Sequence, residues 1–591
     1  MVECTIGGVT RPRLLAAASA LAIVAAACNP TPSASPPEST GSPPPAAPTA
    51  SPAESLAAVG SPPPCPGVLR SVPFTRWWQT AVFYEVFVRS YADSNGDGIG
   101  DFDGLREHLD DIQRLGANAL WLMPVAKSPS YHGYDVTDYT AVERDYGSLE
   151  SFKSLIAEAH RRNMFVVIDF EANHTSIDHP WFQDALDGGK HHDWYVWSKD
   201  DPGWPNPIGA GNPWRSSKAG YYYALFWEGM PDLNLRNPAA TKALEKAASF
   251  WQALGVDGFR IDAARHLIED GPDQQVNTPE THAWLQAFSA DVHANDDIAT
   301  NKHTLVVGEV ADAERVSGGY VSDSSLDMAF DFEIGPAIAN AVSHGDAASL
   351  LISEAGIGKA YADGGAGTFL SNHDQPRIMT QLRGDMTAAK LSAETLLTAP
   401  GTPFIYYGEE LGMTGPKPDE QIRTPYPWTA SGPGYGFTTG TPWEPFGDGA
   451  ATANHATEAA DPNSLLSTYT NLVALRKWSW FATAPFIALD SSNPKIAASL
   501  RVQQRGYPGM LVVQNLATDD AANVSLTLKG VGPLCETPTA TLVYPRTMAG
   551  TTVAAPAVTS TGGLDGYVPL PTIPARSTIV IAFNWGPNPI P

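Results

Sequence analysis

The feature that most constrains this chain is a repeated unit between residues 82 and 407, in which a short apolar run is followed by a longer stretch of helical periodicity. The runs fall at 82–88, 117–123, 164–169, 256–262, 305–309, 327–331, 368–372 and 404–407. A helix after every strand returns the chain to the same end of the sheet, so the strands must run parallel. Eight such units predict an α/β fold of the closed (β/α)8, TIM-barrel type. An open doubly wound sheet competes, but it is announced by a Gly-rich phosphate turn, and none is found here.

Two segments break the rhythm. Residues 175–231 are too long for a connecting loop and rich in Trp, Tyr, Gly and Pro, which predicts an inserted domain B over the barrel mouth. Beyond Trp478 the helical pattern stops. Alternating runs at 497–502, 510–516, 524–528 and 577–583 predict a C-terminal all-β sandwich over 481–591. The catalytic barrel is therefore expected at 67–480, interrupted by domain B.

The first residues read as an export signal. Arg11 and Arg13 precede an apolar run, 14–27, that ends in small residues before Cys28. The run falls short of the ~20 apolar residues that cross a bilayer. A lipoprotein-type signal over 1–28 is expected, with lipid on Cys28 anchoring an extracellular protein to the bacterial surface; ordinary signal cleavage at the same bond is the alternative. Residues 29–66, rich in Pro, Ser and Ala, cannot bury enough apolar surface to fold and are read as a flexible tether. Cys65 and Cys535 would then be the remaining thiols, either joined as a disulfide or buried separately. Acidic residues outnumber basic ones by 63 to 37, for a net charge of −26, which argues against nucleic acid and anionic membranes as partners.

The functional signal lies where the strands end. Asp169 is followed by Asn173 and His174, Asp262 by Arg265 and His266, Glu309 closes its own run, and Asn372 is followed by His373 and Asp374. In a parallel barrel these ends converge on one face, which gathers several carboxylates and two histidines in a single pocket. With no phosphate-binding glycines and no Ser/His pair, such a group suits glycoside hydrolysis, where one acid protonates the leaving oxygen and another meets the developing cation. Arg260 stands two residues before Asp262 and shares its face of the strand. Ordinary salt bridges at a barrel rim are the plain reading of any one of these acids, but a poor reading of the set.

These residues resemble glycoside hydrolase family 13, the α-amylase family, from about Trp77 to the C-terminus. The resemblance implies that Asp262 in GFRIDAARH is the nucleophile, Glu309 in VVGEV the general acid/base, and Asp374 in FLSNHDQPR the third carboxylate. It further implies a substrate-binding set of His132, Tyr134, Asp135, His174, Arg260, Arg265, His266, His373, Arg377 and Arg423, with Asp169 as a structural member. Arg265 and His266 stand where α-amylases hold the leaving-group side, and MPDLN at 230–234 is similar to an intermediary subfamily that contains α-amylases. Glu171 and the pair Tyr426-Pro427 depart from the usual pattern.

Asp93, Asn95, Asp97, Ile99 and Asp101 present oxygen at every second residue, as a hard cation requires. Gly104 at the twelfth position argues against an EF-hand. The loop resembles the single Ca²⁺ loop after the first barrel strand in family members, and structural Ca²⁺ is the expected cofactor; a plain turn is the alternative. The aromatic residues of the insertion, among them Trp194, Trp204, Trp214, Tyr223 and Trp227, are read mainly as core, with none assigned to a sugar.

The expectation is a monomeric, retaining, endo-acting α-1,4-glucan hydrolase that takes starch-like polymers or maltooligosaccharides. An exo-acting α-glucosidase or a trehalose synthase-like transglycosylase is the alternative, sustained by Asp135 and Arg423, whose counterparts clamp a terminal glucose in exo-acting relatives. A non-catalytic sugar-binding protein would be marked by loss of a triad acid, and all three acids are present.

Overall fold

The computed structural model describes residues 76–296, 303–477, 484–502, 509–530, 532–534, 537–548 and 551–584. The leader, the tether, Cys28, Cys65 and Cys535 lie outside these residues. Strands β1 (Phe83–Val86), β2 (Ala119–Leu122), β3 (Phe165–Phe170), β4 (Gly258–Ile261), β5 (Leu305–Gly308), β6 (Met328–Asp331), β7 (Ala366–Thr368) and β8 (Thr402–Tyr406) form a closed parallel barrel, with β1 paired to both β8 and β2. The (β/α)8 expectation holds.

Each strand alternates its side chains between two cores. Phe83, Trp121, Val167, Val307, Phe330 and Phe404 fill the interior, whereas Tyr84, Leu120, Val166, Ile168 and Val306 face the surrounding helices. The interior is strongly aromatic. Phe83 stacks on Phe404 at 4.2 Å, Trp121 lies 5.1 Å from Phe330, and Trp77 closes the floor by stacking on Phe165 at 4.0 Å.

That filling explains the one strand that departs from expectation. β7 occupies Ala366–Thr368 rather than 368–372. A Cβ on Gly367 would stand 2.9 Å from the Phe330 ring and 3.1 Å from the Phe404 ring, so this strand is built of small residues and lacks the apolar run used to find the others. Phe369 and Leu370 continue past the strand toward the site.

The start of every second early strand carries a side chain that reaches back to its neighbour. Asn118, Asp257 and Asp327, just before β2, β4 and β6, accept the N–H groups of Val82, Val166 and Val306 at 2.9, 2.8 and 2.9 Å. His160 and His293, in helices Leu149–Arg161 and Pro279–His293, hold Asp257 and Asp327 from outside at 2.8 and 3.0 Å. These bonds pin the barrel floor, and the opposite rim carries the loops.

The insertion contains helix Pro180–Leu186 and a three-stranded antiparallel sheet of Trp197–Ser198, Gly220–Tyr223 and Trp214–Ser217. Trp214, Tyr223 and Leu225 form its small core, against which Trp204 packs. Asp232 of the MPDLN stretch fastens the insertion to the barrel: it is buried, accepts Asn173 Nδ2 at 2.9 Å and Leu225 N at 3.1 Å, and bridges to His174.

The C-terminal region is a sandwich of a five-stranded and a three-stranded antiparallel sheet. Leu500, Leu511, Val513, Ile579 and Ile581 of the larger sheet face the smaller one. The opposite face, with Ala497, Met510, Val512 and Val580, joins the core of the barrel helices. Tyr544 Oη and Thr578 N both donate to buried Glu394 on helix Met386–Thr398, at 2.7 and 3.0 Å.

Candidate active site

The inward alternation of the strands puts Glu85, Asp169 and Arg260 in the last interior layer, where aromatic filling gives way to polar groups. Arg260 is the hub. Its Nη1 donates to Asp169 Oδ1 at 2.7 Å and to Asp262 Oδ1 at 2.6 Å, and its Nη2 lies 2.9 Å from Glu309 Oε2. The guanidinium also sits over the Trp121 and Tyr134 rings. One buried cation therefore holds three carboxylates contributed by β3, β4 and β5.

Asp374 is held separately. Arg423 Nη2 donates to its Oδ1 at 2.8 Å, and His373 Nε2 lies 3.1 Å from its Oδ2. The other nitrogen of His373 meets Glu85 Oε1 at 2.6 Å, and Tyr134 Oη lies 2.6 Å from His373 Nε2. Glu85 was not singled out from the sequence. Its signal was the same one that marked the others, a carboxylate within an apolar strand, FYEV.

The electrostatics follow from burial and pairing. Burial raises Glu309 and Asp262; Arg260 opposes the rise in both, while Asp262 adds to it at Glu309. Burial carries Asp169 to about 7 against the pull of Arg260. Burial disfavours charge on His373, but Asp374 and Glu85 outweigh it and hold the ring cationic, at about 10. Asp374 is lowered in turn: burial alone would raise it, and His373 and Arg423 prevail. His174 falls to about 4 and His266 to about 3 by burial, so both are neutral donors or acceptors near pH 7.

The remaining sequence candidates divide. Tyr134, His174 and His132 line the same rim, with His174 Nε2 3.2 Å from Tyr134 O and His132 Nδ1 3.1 Å from Ser130 Oγ. Arg423 reaches the site through Asp374. Asp135 is buried and accepts Ser128 Oγ at 2.6 Å together with Ser130 Oγ, which commits it to shaping its own loop. Arg265 bonds Ala311 O and Asp312, tying the β4 loop to the loop after Glu309. Arg377 is not brought to the cleft. It is 2% exposed, donates to Ile422 O and Tyr407 O at 2.7 Å each, and lies over the rings of Tyr406 and Tyr407, so the substrate-binding expectation for it is corrected to a structural role.

Two features had no sequence signal. Ala263, directly after Asp262, has φ 50° and turns its N–H onto Glu309 Oε2 at 3.0 Å. Phe226 of the insertion packs its ring 5.5 Å from His174 and 5.7 Å from His266.

In the oxygen-rich loop, Asp93 accepts the N–H groups of Asn95, Gly96 and Gly98, Asn95 accepts that of Asp97, and Asp97 accepts that of Ile99. Asp101 caps helix Phe102–Glu107 through Gly104 N and holds Ser94. Among the described residues, no three His, Cys, Asp or Glu side chains gather as a metal site.

Residues 85–483 match the family model for the α-amylase catalytic domain. The chain is 40% identical over 416 residues to α-amylase 3 of Dictyoglomus thermophilum, covering 68% of this chain and 77% of that protein. It is 32% identical over 518 residues to glucan 1,6-α-glucosidase of Streptococcus pneumoniae, covering 77% and 94%. Among solved structures, the α-amylase from H. orenii superposes with a TM-score of 0.72 at 35% identity, over 85% of this chain and 99% of the other. With the barrel, the insertion and the carboxylate cluster in place, the chain belongs to the α-amylase family, glycoside hydrolase family 13, and is a glycoside hydrolase.

Proposed function

We propose that the enzyme is a retaining, endo-acting α-amylase that cleaves α-1,4 bonds in starch-like glucans, with Asp262 as nucleophile and Glu309 as general acid and base. The observation that carries this reading is the shared guanidinium of Arg260. It keeps the Asp262 and Glu309 carboxyls close together, which suits the ~5 Å of a retaining pair better than the wider gap an inverting enzyme leaves for water.

In this reading Asp262 attacks the anomeric carbon as its C–O bond breaks, and Glu309 passes its proton to the departing oxygen. Burial raises Glu309 and the neighbouring Asp262 adds to the rise, which is the direction a general acid needs. The glucosyl–Asp262 ester is then opened by water, whose proton returns to Glu309, so the anomeric configuration is retained. Asp374, kept anionic by His373 and Arg423, accepts hydrogen bonds from the sugar hydroxyls as the ring flattens.

Endo action is favoured over an exo-acting clamp because Asp135, one of the residues that would grip a terminal glucose, is engaged in its own loop by Ser128 and Ser130. A product time course on soluble starch, maltose and trehalose tests the assignment. Oligosaccharides of mixed length early in the reaction are expected; glucose alone, or interconversion of maltose and trehalose, would overturn endo hydrolysis.

We also propose that the loop of Asp93, Asn95, Asp97, Ile99 and Asp101 takes a structural Ca²⁺. Its donors are all oxygen, Asn95 and Asp97 stand exposed, and the loop packs against residues 437–443 through Asp93 N to Phe437 O at 2.9 Å and Trp443 N to Gly98 O at 2.9 Å. A bound cation would hold these two segments together. Excess chelator should lower the unfolding temperature, and added Ca²⁺ should restore it; a melting curve indifferent to both would remove the site.

A further inference from the structure

The carboxyl of Glu309 is met by Arg260 Nη2 and by Ala263 N. The backbone that carries it is held a second time, at the turn that follows. Val310 O accepts Asp312 N at 2.8 Å and Asp312 Oδ1 accepts Ala313 N at 2.8 Å, so the chain turns tightly between Glu309 and helix Glu314–Ser322.

The other oxygen of Asp312 faces the β4 loop. Asp312 Oδ2 lies 2.9 Å from Arg265 Nη2 and accepts Asn277 Nδ2 at 2.9 Å. Arg265 Nη1 donates to Ala311 O in the same turn. Asn277 closes the circuit, because its backbone N–H donates to Arg265 O at 2.8 Å. Its Oδ1 accepts the hydroxyl of Tyr320, which is buried on helix Glu314–Ser322, at 2.8 Å. Both ends of the Asn277 carboxamide are thus spent on the segment that follows Glu309.

The choice of residue is dictated twice. Asn277 has φ 55°, a left-handed backbone that asparagine adopts more readily than most residues with a Cβ. Its side chain gives a hydrogen bond to a carboxylate at one end and takes one from a phenol at the other, which a carboxamide can do and a carboxylate cannot. Thr278, the next residue, caps helix Pro279–His293 by accepting Thr281 N at 3.1 Å, which ties Asn277 to a regular element. The β4 loop therefore runs between two left-handed residues, and each grips the β5 loop: Ala263 at the Glu309 carboxyl, Asn277 at the turn behind it.

A general acid works only with its oxygen in hydrogen-bond reach of the departing one, and misplacement by ~1 Å can cost ~10²-fold in rate. We propose that Asn277 is a positioning residue for the proton transfer: through Asp312 and Arg265 it locks the β5 loop to the β4 loop, and so sets where Glu309 stands against the leaving oxygen. The inference rests on Glu309 being the general acid, as read above.

The test compares two leaving groups. Fluoride departs from α-maltosyl fluoride without a proton, a sugar oxygen needs one, and kcat/KM reports the rate up to the glycosyl-enzyme. Asn277→Gly keeps the left-handed backbone and removes the latch. It should lower kcat/KM on maltoheptaose about tenfold, part of the roughly 10²–10⁴-fold that a positioned acid supplies, and leave α-maltosyl fluoride within about twofold. Tyr320→Phe removes the hydroxyl that orients the carboxamide; it should show the same split at smaller size, and it carries the test if the glycine variant does not fold. Equal losses on the two substrates, or no loss on either, would overturn the latch. Glu309→Gln separates the latch from the reading beneath it and should show the split at full size. Undiminished cleavage of maltoheptaose by Glu309→Gln overturns the general-acid assignment and the latch with it, whereas a split in Glu309→Gln that both latch variants lack overturns the latch alone. Should the wild type leave maltoheptaose intact, the α-1,4 reading fails, and isomaltotriose and α-glucosyl fluoride take the place of the two substrates.

Discussion

Ala263 reaches Glu309 through its backbone: its N–H donates to Oε2 at 3.0 Å from a left-handed conformation, φ 50°, at the residue after the nucleophile. Left-handed backbone is unfavourable by about 1–2 kcal/mol for a residue with a Cβ, and more so for a branched one. The strain is placed where it aims a donor at one carboxyl oxygen, leaving the other oxygen free to carry the proton.

Ala263→Val should therefore destabilise the enzyme by at least about 1 kcal/mol, and Ala263→Gly should not. Urea unfolding of the two variants beside wild type measures the difference. Equal midpoints for Val and Gly would show that the left-handed turn imposes no strain.

Arg260 is the single cation shared by Asp169, Asp262 and Glu309. Replacing it with Met removes the cation in contact with three buried acids, a change of the kind that costs about 3–5 kcal/mol. The loss has a pH signature. With the cation gone, all three carboxyls rise further, so the penalty applies where they would otherwise be ionised and fades where they are protonated. Unfolding of Arg260→Met should show a larger deficit at pH 8 than at pH 5, and turnover should be abolished at both. A pH-independent deficit would mean that lost packing, rather than lost charge, is responsible.

Glu171 introduces an acid into a wholly buried position next to the cluster, and its Oε1 has no hydrogen-bond partner. Burial raises it well above the usual carboxyl range, Asp169 and Asp262 raise it further, and Arg260 pulls the other way. A carboxyl whose folded pKa exceeds its unfolded one binds its proton more tightly when folded, so it subtracts stability as pH rises above the unfolded value. Glu171→Gln removes that penalty and should raise the unfolding temperature at pH 9 relative to wild type, with little change at pH 5. An equal shift at both pH values would assign the effect to hydrogen bonding alone.

The parts of this architecture that were legible in the sequence are those written in side-chain type and period. Seven of the eight barrel strands carry apolar runs, and the acids at their ends follow from strand parity. β7 was expected two residues late, at 368–372, because Phe330 and Phe404 fill the space its side chains would need, so glycine and alanine stand at its actual position. Glu85 was readable by the same rule as Asp169 and was passed over. Arg377 sits in a motif that carries site residues, but only the fold reveals that backbone carbonyls surround it. The left-handed turn at Ala263 is a backbone fact, and no residue pattern announces it.

Stability should peak in mild acid, because of acids placed far from the active site. Burial raises Glu354 and Glu394 to about 7 and Glu409 to about 8. In the unfolded chain such groups ionise near pH 4.3, so between there and pH 8 the folded state holds more protons, and stability falls as pH rises. His293, raised by Asp327 although burial opposes it, acts in the same direction, since its charged pair is lost as pH climbs through the folded value. His174, His179 and His266 act oppositely: burial lowers them to about 4, 4 and 3, so the unfolded chain gains protons that the folded one refuses once pH drops below about 6.5. Above pH 6.5 the raised carboxyls, Asp169 included, and the histidines His293 and His373 remain in play, and all of them work against the fold as pH rises. The unfolding temperature should therefore decline steadily from pH 6.5 to pH 8.5, and Glu409→Gln should flatten that decline. A temperature that rises across this interval would mean that the buried glutamates are ionised in the native state.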